Sequence, residues 1–512
     1  MKKDLEKGKY ILEVFSDIYI ALTIILFPLI VDSTGFFHIL ECKWYTYLII
    51  GGTYLISTIL VYLYYLILKK CNLLQKIKLS WIQKLSILFL IVNAISCFLS
   101  PYFNKANLFI GVGRGEGLIM ITLYTLSFLF ITLFSKFKKK YILYFSISSI
   151  LLNFIAILQY IGFNPFNMYQ NGIGTHNVSF MTTIGNVDFI SALYCILLTV
   201  SFTAYVFLDD DKKINKILHF LSVIMGSFII GIIDVDSGKV AFITTLILII
   251  PIIVLNNKRF ARFLQIIAGI LLAYCINVFI NPEYHYDLHS LNFYFQFNYI
   301  VVLYLIVITI LIILSKILNK QDYNLSNNKK IIKYFYISII ICGLLGIVFL
   351  YFYNFQSGML YEIHELLHGN FDDEFGTYRI FLWKRTLKIF PDYLILGSGP
   401  DTFAIRFMAK YTNDIAAIGL LTINDTAANV YLTILINLGV VGLFTYLSFL
   451  LLQIKNGLKK MNNYSLILFI PMICFFIQDF FNLWVVIVTP IFWLLMALHY
   501  TSLYSENVNK CC

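Results

Sequence analysis

Charged side chains are scarce in this chain: 13% of its 512 residues are Asp, Glu, Lys or Arg, against roughly 25% in a soluble domain. With 60% of the residues hydrophobic, the apolar surface far exceeds what a water-soluble core can hide, so a soluble enzyme is excluded. Proline is also rare, at nine residues, and little interrupts the apolar runs. No disulfide framework is evident: of nine cysteines, only Cys42 falls in an outer loop of the topology given below, Cys71, Cys511 and Cys512 are cytoplasmic, and the others lie in apolar runs. The basic N-terminus is not followed by a short apolar stretch with a small-residue cleavage site, so it is expected to stay as a cytoplasmic anchor. Low-complexity linkers and obvious repeats are missing too.

What is there is a series of apolar runs such as 15–31, 45–68, 187–208 and 331–353, each close to the ~20 residues that cross hydrocarbon. Laid out in full, the spans fall near 11–32, 45–68, 82–99, 116–135, 141–162, 187–208, 215–233, 239–255, 260–280, 297–318, 331–355, 429–454, 463–481 and 485–503. The expected fold is therefore all-α: a polytopic integral membrane protein of about 14 transmembrane helices (12–14). The chain divides into N-terminal membrane helices (1–104), a membrane core (105–355), one large extracytoplasmic loop (356–428), and C-terminal membrane helices with a short cytoplasmic tail (429–512).

Lysine and arginine in short loops stay on the cytoplasmic side. With the N-terminus inside, 28 of the 38 basic residues fall inside and 10 outside, which is self-consistent for a plasma-membrane protein with both termini cytoplasmic. The net charge of +11 is then the positive-inside bias, and nucleic-acid binding is not expected. Arginine behaves differently from lysine: six of 32 Lys lie outside, but four of six Arg do, at 114, 379, 385 and 406. A guanidinium grips phosphate or carboxylate through two parallel hydrogen bonds, which an ammonium cannot do. An anionic ligand on the outer face follows, the open alternative being that a long loop escapes the charge rule.

Within the large loop, Ile380, Trp383, Leu387 and Phe390 recur at helical spacing with Arg379, Lys384 and Lys388 interleaved, so an amphipathic helix along the membrane surface is expected, ended by Pro391. Gly397-Ser-Gly-Pro400 follows as a tight turn whose backbone N–H groups could meet an anion. Gly111-Val-Gly-Arg-Gly-Glu-Gly117 puts Arg114 and Glu116 at the membrane edge, where they either hold a ligand or pair with each other and cap a helix.

Read together, these segments resemble the O-antigen ligase and O-antigen polymerase family of membrane glycosyltransferases, over most of the chain from about residue 105. The motifs are Arg114-Gly-Glu-Gly117, Leu158-Gln-Tyr-Ile-Gly162, Thr183-Ile-Gly-Asn-Val-Asp-Phe189, Gly376-Thr-Tyr-Arg-Ile-Phe-Leu-Trp383, Leu396-Gly-Ser-Gly-Pro-Asp-Thr-Phe403 and Asp425-Thr-Ala-Ala-Asn-Val-Tyr-Leu432. The resemblance implies a polyprenyl-diphosphate-linked oligosaccharide as donor, an acceptor glycan or glycolipid, membrane lipid as surroundings, and neither cofactor nor metal. It implies that Arg379 grips the diphosphate, with Arg114, Glu116, Lys239, Trp383, Arg385 and Arg406 also at the substrate and Asn429 and Tyr431 shaping the acceptor side. Chemically this is displacement at the anomeric carbon, with cationic groups stabilising the departing diphosphate.

Two positions depart from the pattern. Ala428 stands where the family has a histidine, thought to be the general base, and Asp236-Ser-Gly-Lys-Val-Ala241 replaces a Ser-Arg element, with Lys239 in the arginine's place. Asp425 or His176 are the substitutes for the base; otherwise deprotonation is dispensable, or the chain is a non-catalytic binder of lipid-linked glycan. A rival pattern, His364-Glu-Leu-Leu-His368, fits the H-E-x-x-H of zinc peptidases, with Glu365 as the catalytic group and Asp372, Asp373 and Glu374 as possible further ligands. Transport would predict repeated halves and mid-membrane ionisable residues, for which Asp17 and Asp479 are the chief candidates.

Overall fold

The computed structural model describes residues 2–74, 78–169, 181–209, 211–284, 291–295, 299–321, 323–325, 328–418 and 425–504. Eleven helices among them are long and apolar enough to cross a membrane. They are α1 (Lys2–Ala21, continued by tighter and wider turns to Leu29), α2 (Ile39–Ile67), α3 (Trp81–Phe98), α5 (Lys140–Tyr160), α6 (Val187–Phe207), α7 (Lys213–Ile233), α8 (Asp236–Val254), α9 (Asn257–Phe279), α10 (Tyr299–Asn319), α11 (Lys329–Phe352) and α15 (Val430–Lys459). Three shorter ones, α4 (Leu118–Phe134), α16 (Asn463–Gln478) and α17 (Thr489–Ser502), complete the bundle, so each expected span has a helix at its place. The chain is a multi-pass, nearly all-helical membrane protein. A short antiparallel hairpin, β1 (Ile280–Tyr284) with β2 (Leu291–Phe295), joins α9 to α10 and is the exception to the all-α expectation.

The core is centred on α6, nearly every residue of which is buried, with α16 and α17 against it. Helix ends are closed by their own sequence: Ser80 and Gln83 form a reciprocal capping box at α3, and Asn186 and Asn429 cap α6 and α15. Where α1 unwinds between Leu22 and Leu29, the freed carbonyls are taken by side chains. Buried Lys43 donates to Phe27 O (3.1 Å) and Pro28 O (2.7 Å), and Thr183 to Pro28 O (2.6 Å). Lys43 is therefore an internal brace and not an outer-loop charge. Asp17, the first of the two intramembrane acids, meets Lys138 (2.8 Å) and Lys140 (2.9 Å) at the lysine-rich end of the bundle, an ion-pair role rather than a mid-membrane ion site.

Between α11 and α15 lie α12 (Gly358–Leu367), α13 (Arg379–Ile389) and α14 (Phe403–Ala417). The amphipathic helix expected around residue 380 is α13, but its buried face is Ile380, Phe381, Leu382, Thr386 and Ile389, while Leu387 is 53% exposed. Phe381 and Ile389 join Phe403 and Phe407 of α14 and Ile436 of α15 in a small core of their own, so α13 is packed within the loop.

α15 is interrupted at Gly439 (φ 67°, ψ −169°), a conformation open only to glycine. Segment 394–399 splices the gap: Val440 and Val441 N–H donate to Leu394 O (2.9 Å) and Ile395 O (3.2 Å), while Ser398 and Gly399 N–H donate to Ile436 O (3.3 Å) and Asn437 O (2.9 Å). Four of the backbone groups that the break releases, two on each side, are thereby satisfied, as burial favours. The Gly397–Pro400 turn thus spends its N–H groups on the helix break, which corrects the expectation that they face an anion.

Candidate functional site

The N-terminal ends of α4, α6, α8 and α15 and the C-terminal ends of α3 and α16 meet at one end of the bundle, under α13. The run 111–117 folds here because its glycines allow it. Gly111 and Gly115 have φ of 105° and 73°, and a Cβ on Gly117 would run into the backbone of Ile110 and Gly111. The result is a loop with its N–H groups turned onto one carboxylate: Asp401 Oδ2 accepts from Gly113 (3.0 Å), Arg114 (3.0 Å) and Glu116 (3.3 Å). Asp401, not singled out from the sequence, is buried, and desolvation pushes its carboxyl up to about 6 despite those three donors.

Arg114 Nε lies 2.7 Å from Asp425 Oδ2, and its guanidinium sits 5.5 Å from the Phe189 ring centroid. Arg114 therefore pairs with Asp425 and not with Glu116. Burial raises the Asp425 carboxyl above its ordinary value, and the Arg114 charge pulls it back. Glu116 faces inward: α4 begins at Leu118, so Glu116 lies in the preceding loop, and its Oε1 accepts from Tyr124 (3.2 Å) and Thr489 (3.0 Å). Its Oε2 and Asn93 Oδ1, both buried, have no partner among the described residues, and both line a cleft with Arg114, Asp401, Thr433 and Trp484.

Arg379 opens α13. Its Nε donates to Phe481 O (3.1 Å) and its Nη1 to Gly376 O (2.9 Å). Both acceptors are neutral carbonyl oxygens, and no acid pairs with this guanidinium among the described residues. Trp383, one turn on, donates its Nε1–H to Ala427 O (3.0 Å) and sets its ring against Phe480 at 5.5 Å, which ties α13 to segment 425–430 and to the turn after α16. Asn429 is the α15 cap, donated to by Leu432 N–H (3.0 Å), and the Tyr431 hydroxyl donates to Phe476 O (2.8 Å). Ala428 takes a left-handed turn (φ 47°) at the same corner.

Three expected anion contacts are occupied by the protein itself. Arg385 is clamped between Asp414 (2.9 Å) and Asp373 (2.8 Å) and lies over the Phe381 ring. Arg406 is buried, donating to Ile389 O and to Ile436 O (3.3 Å), with Asp392 at 3.6 Å. Lys239 pairs with Asp234 and approaches Asp236 at 3.6 Å. In each case an acceptor of the protein already engages the cation, so these side chains help to brace the loop and the start of α8. The sequence could not separate the two arginine classes, because the partners of Arg385 and Arg406 lie 12 to 30 positions away.

The H-E-x-x-H pair is also spoken for. His364 Nδ1 meets Leu350 O (2.8 Å), His368 Nδ1 meets His364 O (2.8 Å), and Glu365 accepts from Asn370 (2.7 Å). His368 stacks on Tyr351 at 4.3 Å. No group of three or more potential ligands gathers there or elsewhere among the described residues. Asp479, the second intramembrane acid, is buried at the α16 end, where its carbonyl receives Val430 N–H (2.9 Å) and its Oδ2 has no partner among the described residues. His176 lies outside the described residues.

Fold and site together define a multi-pass membrane protein with an arginine-bearing polar site at one end of its helix bundle. Residues 297–447 match the family model described as O-Antigen ligase. That stretch runs from α10 through the break in α15 and so contains Arg379, Trp383 and Asp425. That stretch is therefore similar to the O-antigen ligase family. No curated protein matches the chain.

Proposed function

We propose that this protein transfers a glycan from a polyprenyl-diphosphate donor to an acceptor hydroxyl on the outer face of the plasma membrane. Its termini are cytoplasmic and its 356–428 loop extracytoplasmic. The observation that carries the reading is Arg379: a half-buried guanidinium held in place by two carbonyl oxygens, with no acidic partner among the described residues, at the start of a helix inside the matched stretch. Such a group is preorganised for a diphosphate, whose charge grows as the glycosidic bond breaks. Arg114 supplies the second cation and orients Asp425, which accepts the proton of the attacking hydroxyl in place of the missing histidine. The bond from the anomeric carbon to the diphosphate oxygen breaks as the bond to the acceptor oxygen forms. Trp383 and Asn429 fix the corner on which Asp425 sits.

The deciding assay is turnover of a polyprenyl-diphosphate-linked oligosaccharide by the purified protein in lipid vesicles. Release of free polyprenyl diphosphate with extended or newly attached glycan is expected, lowered on the order of 10²-fold by Arg379→Ala. A second reading rests on Ala428: donor binding that requires Arg379, no turnover in the native chain and activity gained by Ala428→His mark a binder of lipid-linked glycan. Donor that neither binds nor reacts sinks both readings.

A further inference from the structure

At the end of the bundle opposite the arginine site, α2 and α4 close at one level and part at another. A Cβ on Gly51 of α2 would stand 3.6 Å from the Leu123 side chain of α4, so the missing side chain lets the helices approach closely there. Two to three turns further along, Thr58, Ile59 and Tyr62 of α2 stand apart from Leu129, Phe130, Leu133 and Phe134 of α4. The wedge between them is a cavity of about 470 Å³, roofed by Leu74 and Leu79 of the connecting segment and lined almost entirely by hydrocarbon and aromatic carbon. The one buried polar atom with no partner among the described residues at its wall is Thr58 Oγ1.

The rim has the opposite character. Lys69 and Lys70 follow α2, Lys78 adjoins Leu79, Lys84 lies 4.6 Å over the Trp81 ring at the start of α3, and Lys136 follows α4; all five are exposed. Asp4 is the acid that bears on Lys69. Of the other acids of α1, Glu6 is exposed, and Glu13 and Asp17 are taken up by Lys138 and Lys140. An apolar slot in a bilayer is filled by a hydrocarbon chain, and exposed lysines on the segments that follow its lining residues favour a phosphate at headgroup level. A protein helix could fill the slot, but it would find no acidic partner requirement met by its apolar face, whereas one lipid satisfies slot and rim together.

We infer that the α2–α4 wedge is a binding site for one anionic phospholipid, with an acyl chain between Thr58, Tyr62, Phe130 and Phe134 and its phosphodiester among Lys70, Lys78 and Lys136. The site is separate from the glycan-transfer site and does not depend on it. Occupancy holds the two helices apart at this end, and the protein carries this lipid through purification.

Native mass spectrometry of the full chain, titrated with phosphatidylglycerol and, separately, phosphatidylcholine, tests the assignment. A first phosphatidylglycerol is expected to bind at least tenfold more tightly than phosphatidylcholine. Each of Lys70→Gln, Lys78→Gln and Lys136→Gln should weaken it by roughly fivefold, the size of one lysine's attraction at an anionic surface. Leu133→Trp, which fills the wedge without touching the rim, should abolish the tight binding in a protein that still elutes as a single species. Equal affinity for the two lipids overturns the proposal. So does tight phosphatidylglycerol binding that survives both the lysine changes and Leu133→Trp, because the lipid then sits elsewhere.

Discussion

The arginines in and around the large loop belong to two different environments, although the sequence makes them look alike. Around α14, Arg385 and Arg406 are locked by carboxylates and carbonyls from several segments, and Arg406 is 5% exposed. At the junction of α13 with segments 111–117 and 425–430, Arg379 leans on neutral oxygens and Arg114 has a single carboxylate. An arginine whose donors are all used by the fold stabilises the fold, and one that retains charge and free donors is available to a ligand. The distinction lies in the partners and not in the side chain.

The largest effect that would break this comparison is on Arg379. Its replacement by Ala is expected to cost on the order of 10²-fold in transfer, the usual loss when a stabiliser of developing charge is removed, with little change in melting. Arg406→Met should do the reverse. It leaves the Ile389 carbonyl short of a donor, while Ser398 still serves Ile436, at about 1–3 kcal/mol for a buried group, read as an earlier melting transition in detergent. Asp401 sharpens the picture through pH. Its carboxyl sits near 6 in the folded protein and near its ordinary 3.8 when unfolded, so the folded state binds the extra proton between those values. The contribution of this carboxyl to stability is therefore expected to be greatest below about pH 4, to fall as pH rises to about 6, and to level off above; Asp401→Asn should remove that component from the pH profile of melting. The smallest effect is expected at Lys239, whose pairs are exposed on the acid side: Lys239→Ala should shift stability by less than ~1 kcal/mol and leave transfer nearly intact.

Apolar run length is a local property, and it was enough to place a helix at each of the fourteen expected spans, including the three that are shorter than a usual span. The α13 helix was equally legible from its spacing, but its orientation was not, because the face it buries is chosen by Phe403 and Phe407 of another helix. At the site, residue order brought out Arg114, Arg379, Trp383, Asp425 and Asn429, which the fold brings to one end of the bundle. Asp401 escaped notice because its role rests on three N–H groups from a loop nearly 290 positions earlier. The Gly-rich run was the available signal: glycines spaced to turn backbone N–H groups inward imply an acceptor, and the sequence does not say whose. The Gly397 turn misled for the same reason, since its acceptors are the carbonyls of a broken helix.

That break bends α15 without separating its two parts. Segment 394–399 is fastened to the piece before Gly439 by the Ser398 and Gly399 N–H groups, and to the piece after it by the Val440 and Val441 N–H groups, two backbone hydrogen bonds on each side. The large loop is therefore a splint across the fracture, and the short piece headed by Asn429 moves with the transmembrane rod beneath it. Gly439 makes the bend, the splint stiffens it, and the corner bearing Asp425 is held at a fixed tilt to the bundle.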